Sequence, residues 1–94
     1  MDRTIYLNGA YVPAKAANIS VFDRGFLFAD AIYEVTCVLD GQLLDFEGHA
    51  ARLERSLREL GMPMPMPKEE FLDVHKELVR RNGLDAGVVY IQVL

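Results

Sequence analysis

Residues 23–35, DRGFLFADAIYEV, form the stretch of this sequence that says most about its fold. The stretch begins with DRG, a turn signal, and continues through two phenylalanines toward an extended run. That run is rich in β-branched and aromatic side chains, which predicts a β-strand over residues 33–39. Successive strand residues face opposite ways, so Tyr33 and Cys37 share one face and Glu34 lies on the other. The stretch therefore predicts a loop that leads directly into a strand.

The sequence before this stretch predicts a β-hairpin and one further strand. Residues 5–7 and 10–12 are strand-like runs separated by Asn-Gly at residues 8–9. Asn-Gly adopts the two positive φ angles of a type I′ turn at little steric cost, which is typical of a two-residue hairpin. Pro13 has no backbone donor and is expected to end the second strand. The run ISVF at residues 19–22 predicts a short strand that leads into the 23–35 stretch.

The sequence after the strand predicts a second hairpin and a final strand. Asp-Gly at residues 40–41 is again a two-residue turn signal, and residues 42–44 begin the returning strand. Residues 88–93 are apolar almost throughout. Such a run is typical of a strand with both faces covered, so this strand is predicted to lie centrally in the sheet.

Two amphipathic helices are predicted between these strands. The first begins at about Glu47 and is closed by Gly61, and the second begins at Lys68 and stops at residues 82–83. Residues 62–67, MPMPMP, predict an extended connector between them. The apolar positions recur at three- and four-residue steps, as on a helix that faces a core: Leu53, Leu57 and Leu60, then Phe71, Val74 and Leu78.

The predicted fold class follows from this order of elements. Hairpins require antiparallel pairing, so the sequence predicts an α+β fold, an antiparallel sheet with two helices on one face in a two-layer sandwich. Ninety-four residues correspond to one small domain over residues 1–94.

Composition excludes some functions and indicates a compartment. The net charge is −4 with interspersed signs, so no basic surface for nucleic acid is expected. No apolar run reaches the roughly 18 residues of a membrane helix, and MDRT at the N-terminus is not a signal peptide. The single Cys37 has no partner for an internal disulfide, which favours a cytoplasmic location. Cys37 lies in an apolar run and is predicted to be a buried small hydrophobic residue.

Two blocks of the sequence resemble the class IV, or fold-type IV, pyridoxal-phosphate enzymes. Residues 23–35 are similar to the signature D-R-G-[FY]-x-[FL]-[GA]-D-[GA]-[VI]-Y-E-V. Residues 47–56, EGHAARLERS, are similar to a family helix that opens with H-x-x-R-L. The chain most resembles the D-amino-acid aminotransferases and covers about the first third of a normal member. The resemblance implies the small N-terminal domain of such an enzyme, buried in the family against a second domain and a partner subunit as a homodimer.

This resemblance implies a reaction, a cofactor and two site residues. The complete enzyme would use pyridoxal 5'-phosphate to transfer an amino group between a D-amino acid and a 2-oxo acid. Arg52 would hold the cofactor phosphate, and Tyr33 would face the substrate. From the residues alone, Arg52 and His49 share a face near a helix start, where spare N–H groups favour an anion. Helix patterning alone favours a solvated arginine at position 52, and strand patterning alone favours a half-buried Tyr33.

No catalytic residue and no metal site are predicted within the chain. The Schiff-base lysine and the carboxylate at the pyridine nitrogen follow later in the family, and Lys15, Lys68 and Lys76 do not match the lysine's position. This stretch alone is therefore expected to be inactive.

The remaining acidic residues of the signature, Asp30 and Glu34, are predicted to order the loop, for example by pairing with Arg24. The final run VYIQV matches a family strand that continues into a loop with basic residues. The chain is accordingly expected either to stop at a domain boundary or to be a truncated part of a longer sequence, rather than to be a natural 94-residue protein.

Several alternatives stay open on the sequence. Aminodeoxychorismate lyases, branched-chain aminotransferases and R-selective amine transaminases share the same scaffold, and the loops that set specificity lie beyond these residues. A different class of function is a non-catalytic interaction module that self-associates through an exposed sheet face.

Overall fold

A computed structural model describes residues 3–23 and 31–93 of the chain. Apart from the strand predicted at residues 19–22, the strands and helices follow the predicted order: β1 (Thr4–Leu7), β2 (Ala10–Pro13), β3 (Ile32–Leu39), β4 (Gln42–Leu43), α1 (Phe46–Glu59), α2 (Lys68–Arg81) and β5 (Gly87–Val93). A short 3-10 turn, Ala14–Ala16, follows β2. Two helices with antiparallel sheets confirm the α+β prediction.

Both predicted hairpin turns are confirmed by the backbone. Asn8 and Gly9 have φ angles of 50° and 90°, and β1 pairs antiparallel with β2 across them. Asp40 and Gly41, with φ angles of 53° and 71°, join β3 to β4 in the same way. Positive φ at both central residues gives the turn a twist that matches the flanking strands.

The second sheet has the strand order β4-β3-β5, with both pairs antiparallel. The prediction that residues 88–93 form a central strand is therefore wrong for the described residues, because β3 is central and β5 lies at the edge. The apolar run of β5 has another cause. Val89 is buried toward the helices, whereas Val88 and Tyr90 are apolar but exposed on the opposite face.

Residues 19–22 do not form the predicted strand. The Ser20 side chain accepts a hydrogen bond from the Phe22 N–H at 3.0 Å, and the Asp23 N–H donates to the Ser20 carbonyl at 3.2 Å. A serine that bonds its own following backbone favours a turn over a ladder. Val21 and Phe22 are consequently exposed instead of paired in a sheet.

The core lies between the two helices and one face of the β4-β3-β5 sheet. Leu53 and Leu57 are 0% exposed and pack with Phe46, Ala50 and Phe71. Side chains of the 62–67 connector close the edge of this cluster, where the methionines are partly buried. The stripe positions Leu53, Leu57 and Phe71 are confirmed as core.

Two positions of the predicted apolar stripes depart from the prediction. Leu60 is 52% exposed because it lies at the C-terminal cap of α1, beyond the last core-facing turn. Leu78 is half-buried, and His75 takes the fully buried place on α2. Its Nδ1–H donates to the Phe71 carbonyl at 2.8 Å, and its ring meets those of Phe46 and Phe71 edge-on.

His75 predicts acid-sensitive stability. Burial lowers the pKa of His75 in the folded chain. The hydrogen bond to the Phe71 backbone opposes this effect, and the nearby His49 adds to it. Below about pH 6.5 the unfolded chain therefore binds more protons, and the free energy of unfolding falls as pH decreases. We expect urea unfolding to show this loss between about pH 7 and 5, above the range where carboxylates titrate. His75→Leu is expected to flatten the dependence, and an unchanged slope would show that another group is responsible.

One amide fastens the first hairpin to the end of α2. The Thr4 N–H donates to Asn82 Oδ1 at 2.8 Å, and Asn82 Nδ2 donates to the carbonyls of Thr4 at 3.0 Å and Leu78 at 2.8 Å. Beside it, the Arg81 guanidinium lies 4.3 Å from the centre of the Tyr11 ring. The hairpin is thus held by residues far away in the sequence.

Candidate functional site

The candidate site is built around the carboxylate of Glu34, whose side chain is only 8% exposed. Glu34 lies on the face of β3 that meets α1. Its Oε2 accepts from Arg52 Nε at 2.7 Å, and its Oε1 accepts from Arg52 Nη2 at 2.7 Å. His49 Nδ1 lies 2.9 Å from the same Oε1. Arg52 and His49, which were predicted to share a helix face, are therefore joined in one cluster by Glu34 of β3.

Helix spacing explains why α1 can supply both partners. His49 and Arg52 are three residues apart, so they project from the same side of the helix. That side lies over β3, where strand alternation turns Glu34 toward the helix while Tyr33 faces away. The cluster thus depends on the packing of α1 on β3, which brings together Glu34 and Arg52, 18 residues apart in the sequence.

Electrostatics keeps Glu34 ionised. The hydrogen bond from Arg52 lowers the pKa of Glu34, and the bond from His49 acts in the same direction against the effect of burial. An ionised carboxylate only accepts hydrogen bonds, so His49 Nδ1 must donate. A protonated Nδ1 has no lone pair and cannot accept a hydrogen bond. Arg52 Nη2 lies 3.5 Å from His49 Nδ1, and this is therefore a contact without a hydrogen bond.

Arg52 keeps part of its guanidinium available. Glu34 occupies the edge formed by Nε and Nη2, which leaves the edge formed by Nη1 and Nη2. Within residues 3–23 and 31–93, no side chain or carbonyl accepts from Nη1. The Arg52 side chain is 57% exposed. A guanidinium can bind oxyanions at two edges, so this free edge can take a phosphate or carboxylate.

The start of α1 has one spare donor fewer than the sequence predicted for phosphate, because its cap uses a helix N–H group. Asp45, with φ 55°, caps the helix, and its carboxylate accepts from the Gly48 N–H at 3.3 Å. The cap is so close that a Cβ at Gly48 would lie 2.6 Å from both Asp45 carboxylate oxygens. The Asp45 carboxylate places a negative charge at the helix end, whereas the exposed Arg52 carries a positive charge.

Tyr33 lies beside this cluster but on the opposite face of β3. It is 65% exposed, and its ring stacks on Tyr90 with centroids 5.9 Å apart. The hydrogen bond to Glu34, on the other face of β3, raises the pKa of Arg52. The half-buried alternative for Tyr33 is wrong, because nothing in the described residues covers this face.

The predicted pairing of Glu34 and Asp30 with Arg24 is only partly within view. Arg24 and Asp30 lie outside the described residues. Within the described residues, the Glu34 carboxylate is bound by Arg52 and His49 of α1, and its pairing with Arg24 stays a prediction. His49, which shares one face of α1 with Arg52, contacts the same carboxylate.

The lysines and the acidic groups provide no further site. Lys68 donates to Glu47 at 2.8 Å, Lys15 follows β2, and Lys76 is exposed on α2. The part of the chain that the structure describes holds no His, Cys, Asp or Glu cluster suited to a metal ion. It likewise contains no helix with the length and apolar character needed to cross a bilayer.

An exposed apolar surface covers the side of the sheet away from the helices. We call it the outer sheet face, and it comprises Tyr33, Cys37, Leu39, Val88 and Tyr90. The prediction that Cys37 is buried is wrong, because strand alternation places it on this open face. Burial could not be inferred from the apolar neighbours, since both faces of β3 carry apolar residues.

Comparison with known families assigns the chain. The sequence model of the amino-transferase class IV family matches residues 31–94, which include β3, both helices and β5. The chain belongs to the class IV aminotransferase family. Glu34, His49 and Arg52 all lie inside the matched region.

Class IV aminotransferases of two kinds are similar to the chain in sequence. The D-alanine aminotransferase of Staphylococcus aureus (strain MSSA476) is 39% identical over 88 residues, which are 94% of this chain and 31% of that protein. A putative branched-chain-amino-acid aminotransferase of Methanocaldococcus jannaschii is 41% identical over 89 residues, again 31% of its length. The chain therefore spans about a third of these relatives, and identity does not separate the two kinds.

Solved class IV structures share the fold. The T.th. branched-chain amino acid aminotransferase, complexed with N-(5'-phosphopyridoxyl)-L-glutamate, superposes with a TM-score of 0.90 at 26% identity, over 98% of this chain and 32% of that one. The branched-chain aminotransferase of Thermoproteus uzoniensis with norvaline has a TM-score of 0.82 at 24% identity, over 98% of this chain and 32% of that one. The second likeness concerns the fold alone.

Proposed function

We propose that residues 1–94 are the N-terminal domain of a pyridoxal-phosphate aminotransferase that transfers an amino group between a D-amino acid and a 2-oxo acid. The observation that carries the proposal is Arg52, held along one guanidinium edge by Glu34 and open along the other. The similarity to D-alanine aminotransferases supports the D-amino acid as donor. We also propose a cytoplasmic location, because the single Cys37 has no partner for an internal disulfide.

The residues present fit the phosphate end of the cofactor. Arg52 would bind the phosphate through its free edge, with Glu34 and His49 holding the guanidinium from behind. Tyr33 would orient the substrate by donating a hydrogen bond from its hydroxyl to a substrate carboxylate. When bound, pyridoxal phosphate supplies an electron sink for the carbon that loses or gains the amino group. The lysine that carries the cofactor is proposed to come from the second domain, since none of the three lysines here joins the cluster.

An amino-transfer assay tests the donor. The complete aminotransferase, in which this domain is joined to the family's second domain, is supplied with pyridoxal phosphate and a 2-oxo acid. Formation of a new amino acid is followed with D-alanine, with an L-branched-chain amino acid and with an aromatic amine as donors. We expect transfer from D-alanine. Transfer only from the L-branched donor would show a branched-chain enzyme, the kind that the Methanocaldococcus relative represents.

Tyr33→Phe tests the substrate-side role. Only a hydroxyl is removed, so we expect cofactor affinity to remain unchanged and kcat/KM to fall about 2- to 12-fold, as for one neutral hydrogen bond. Tyr90→Phe is the matched control, because Tyr90 stacks on Tyr33 on the same outer sheet face. Equal losses in the two variants would indicate a packing effect and would exclude a specific role for the Tyr33 hydroxyl.

A second candidate function is association through the outer sheet face, by which the chain would contribute to a homodimer. The observation that favours it is the cluster of exposed apolar side chains on one side of the sheet. Size-exclusion chromatography with light scattering should give a mass above 10.6 kDa for the isolated chain. Tyr90→Lys should lower that mass, whereas Leu60→Lys, an equally exposed apolar position on α1, should not. A monomer at high concentration would contradict this candidate.

A further inference from the structure

Glu34 differs from Glu77, another carboxylate that pairs with arginines. Glu77 binds Arg80 at 2.7 Å and Arg81 at 2.9 Å on the surface of α2. Glu34 is buried instead, and its partner Arg52 is exposed at the far end. A buried anchor with an exposed cation is the arrangement expected when the carboxylate serves to orient the cation.

We infer that Glu34 is a positioning residue that fixes the Arg52 guanidinium, so that its free edge is presented to the cofactor phosphate. The inference rests on the proposed function, in which Arg52 binds that phosphate. Two parallel bonds to Nε and Nη2 determine both the direction and the plane of the guanidinium. The carboxylate is itself held, by the β3 backbone and by His49.

The expected gain comes from ordering a flexible side chain in advance. Immobilising a rotamer-rich side chain on binding costs a factor of about 2 to 12 in affinity. With Glu34 in place, that cost has been met before the ligand arrives. Glu34 also has an opposite effect, because its negative charge repels a phosphate. A variant that removes the charge would mix these two effects. The test must therefore keep the negative charge and change the length of the side chain.

Glu34→Asp meets this requirement, since it shortens the side chain by one methylene and remains ionised. We expect it to weaken the binding of pyridoxal phosphate about 2- to 12-fold in the complete aminotransferase. Binding of pyridoxal, which has no phosphate, should not change. In an Arg52→Ala background, Glu34→Asp should cause no further loss, because the residue acts through Arg52. Glu77→Asp is the matched control and should leave both affinities unchanged.

A second readout is independent of the cofactor. In a ¹⁵N spectrum, the Arg52 Nε–H proton should exchange slowly with water in the wild type and quickly in Glu34→Asp. Should this variant fail to fold, Glu34→Gln replaces it, because it has the same size and buries no unpaired charge. The exchange rate of the Nε–H proton then decides the question.

The outcomes separate the inference from the proposed function. Wild-type affinity of Arg52→Ala for pyridoxal phosphate would refute the phosphate assignment itself. Weakened binding in Arg52→Ala together with wild-type binding in Glu34→Asp would refute only the positioning role. A loss in Glu34→Asp that is equal for pyridoxal, or that persists without Arg52, would likewise show that Glu34 acts in another way.

Discussion

Replacing Leu53 with alanine is expected to lower the free energy of unfolding by about 2–5 kcal/mol. Leu53 is 0% exposed and lies in the core cluster that joins both helices to the sheet. The truncation removes buried methyl groups and leaves a cavity that surrounding side chains fill only in part. A domain of this size has roughly 5–14 kcal/mol of stability in all, so the loss is a large share of it.

Urea unfolding followed by circular dichroism measures this effect, and Leu60→Ala provides the control. Leu60 is the same residue type, at the end of the same helix, but it is exposed. Its truncation should change the free energy of unfolding by about 0.5 kcal/mol or less. A Leu53→Ala loss no larger than that of Leu60→Ala would mean that α1 does not pack on the sheet as described.

Replacing Arg52 with alanine is expected to weaken pyridoxal phosphate binding by about 1.5–3 kcal/mol in the complete aminotransferase, the range for a hydrogen bond to a charged group. This corresponds to a dissociation constant roughly 12- to 140-fold higher. The free edge of the guanidinium is the part of Arg52 that would supply this interaction, because Glu34 occupies the other edge.

Cofactor retention on dialysis and a direct titration both measure the effect. Arg55→Ala serves as the control, since Arg55 is an exposed arginine one turn further along the same helix. Losing Arg52 also leaves the buried Glu34 with His49 alone, so the melting temperature of each ligand-free variant is needed beside its affinity. Unchanged retention in a folded Arg52→Ala variant would remove Arg52 from the site.

Features set by neighbours in the sequence could be predicted. The turns at Asn8 and Asp40 follow from the conformations that these residues and the glycines after them readily adopt. The helix ends and most of the core stripe follow from spacing. The strand predicted at residues 19–22 failed for a local reason too, because a serine side chain competes with the ladder for the backbone N–H groups.

Features set by distant packing could not be predicted. The apolar run of β5 has the same pattern whether both faces are covered or one is left open, so its edge position was not visible in the sequence. The same ambiguity applied to Cys37. The sequence suggested no contact between Glu34 and Arg52, which are 18 residues apart and meet because α1 packs on β3. The resemblance identified Arg52, but only the structure shows which edge of it is in use.

The hydrogen bonds between Asn82 and Thr4 set an order of events during synthesis. The β1–β2 hairpin leaves the ribosome before α2, but an isolated two-stranded hairpin is at best marginally stable in water. Asn82, which bonds both backbone groups of Thr4, is made 78 residues later. At about 5–20 residues per second, Thr4 waits roughly 4–16 s for its anchor. The hairpin is thus completed only when the end of α2 has been made, and until then it stays open to chaperones and proteases.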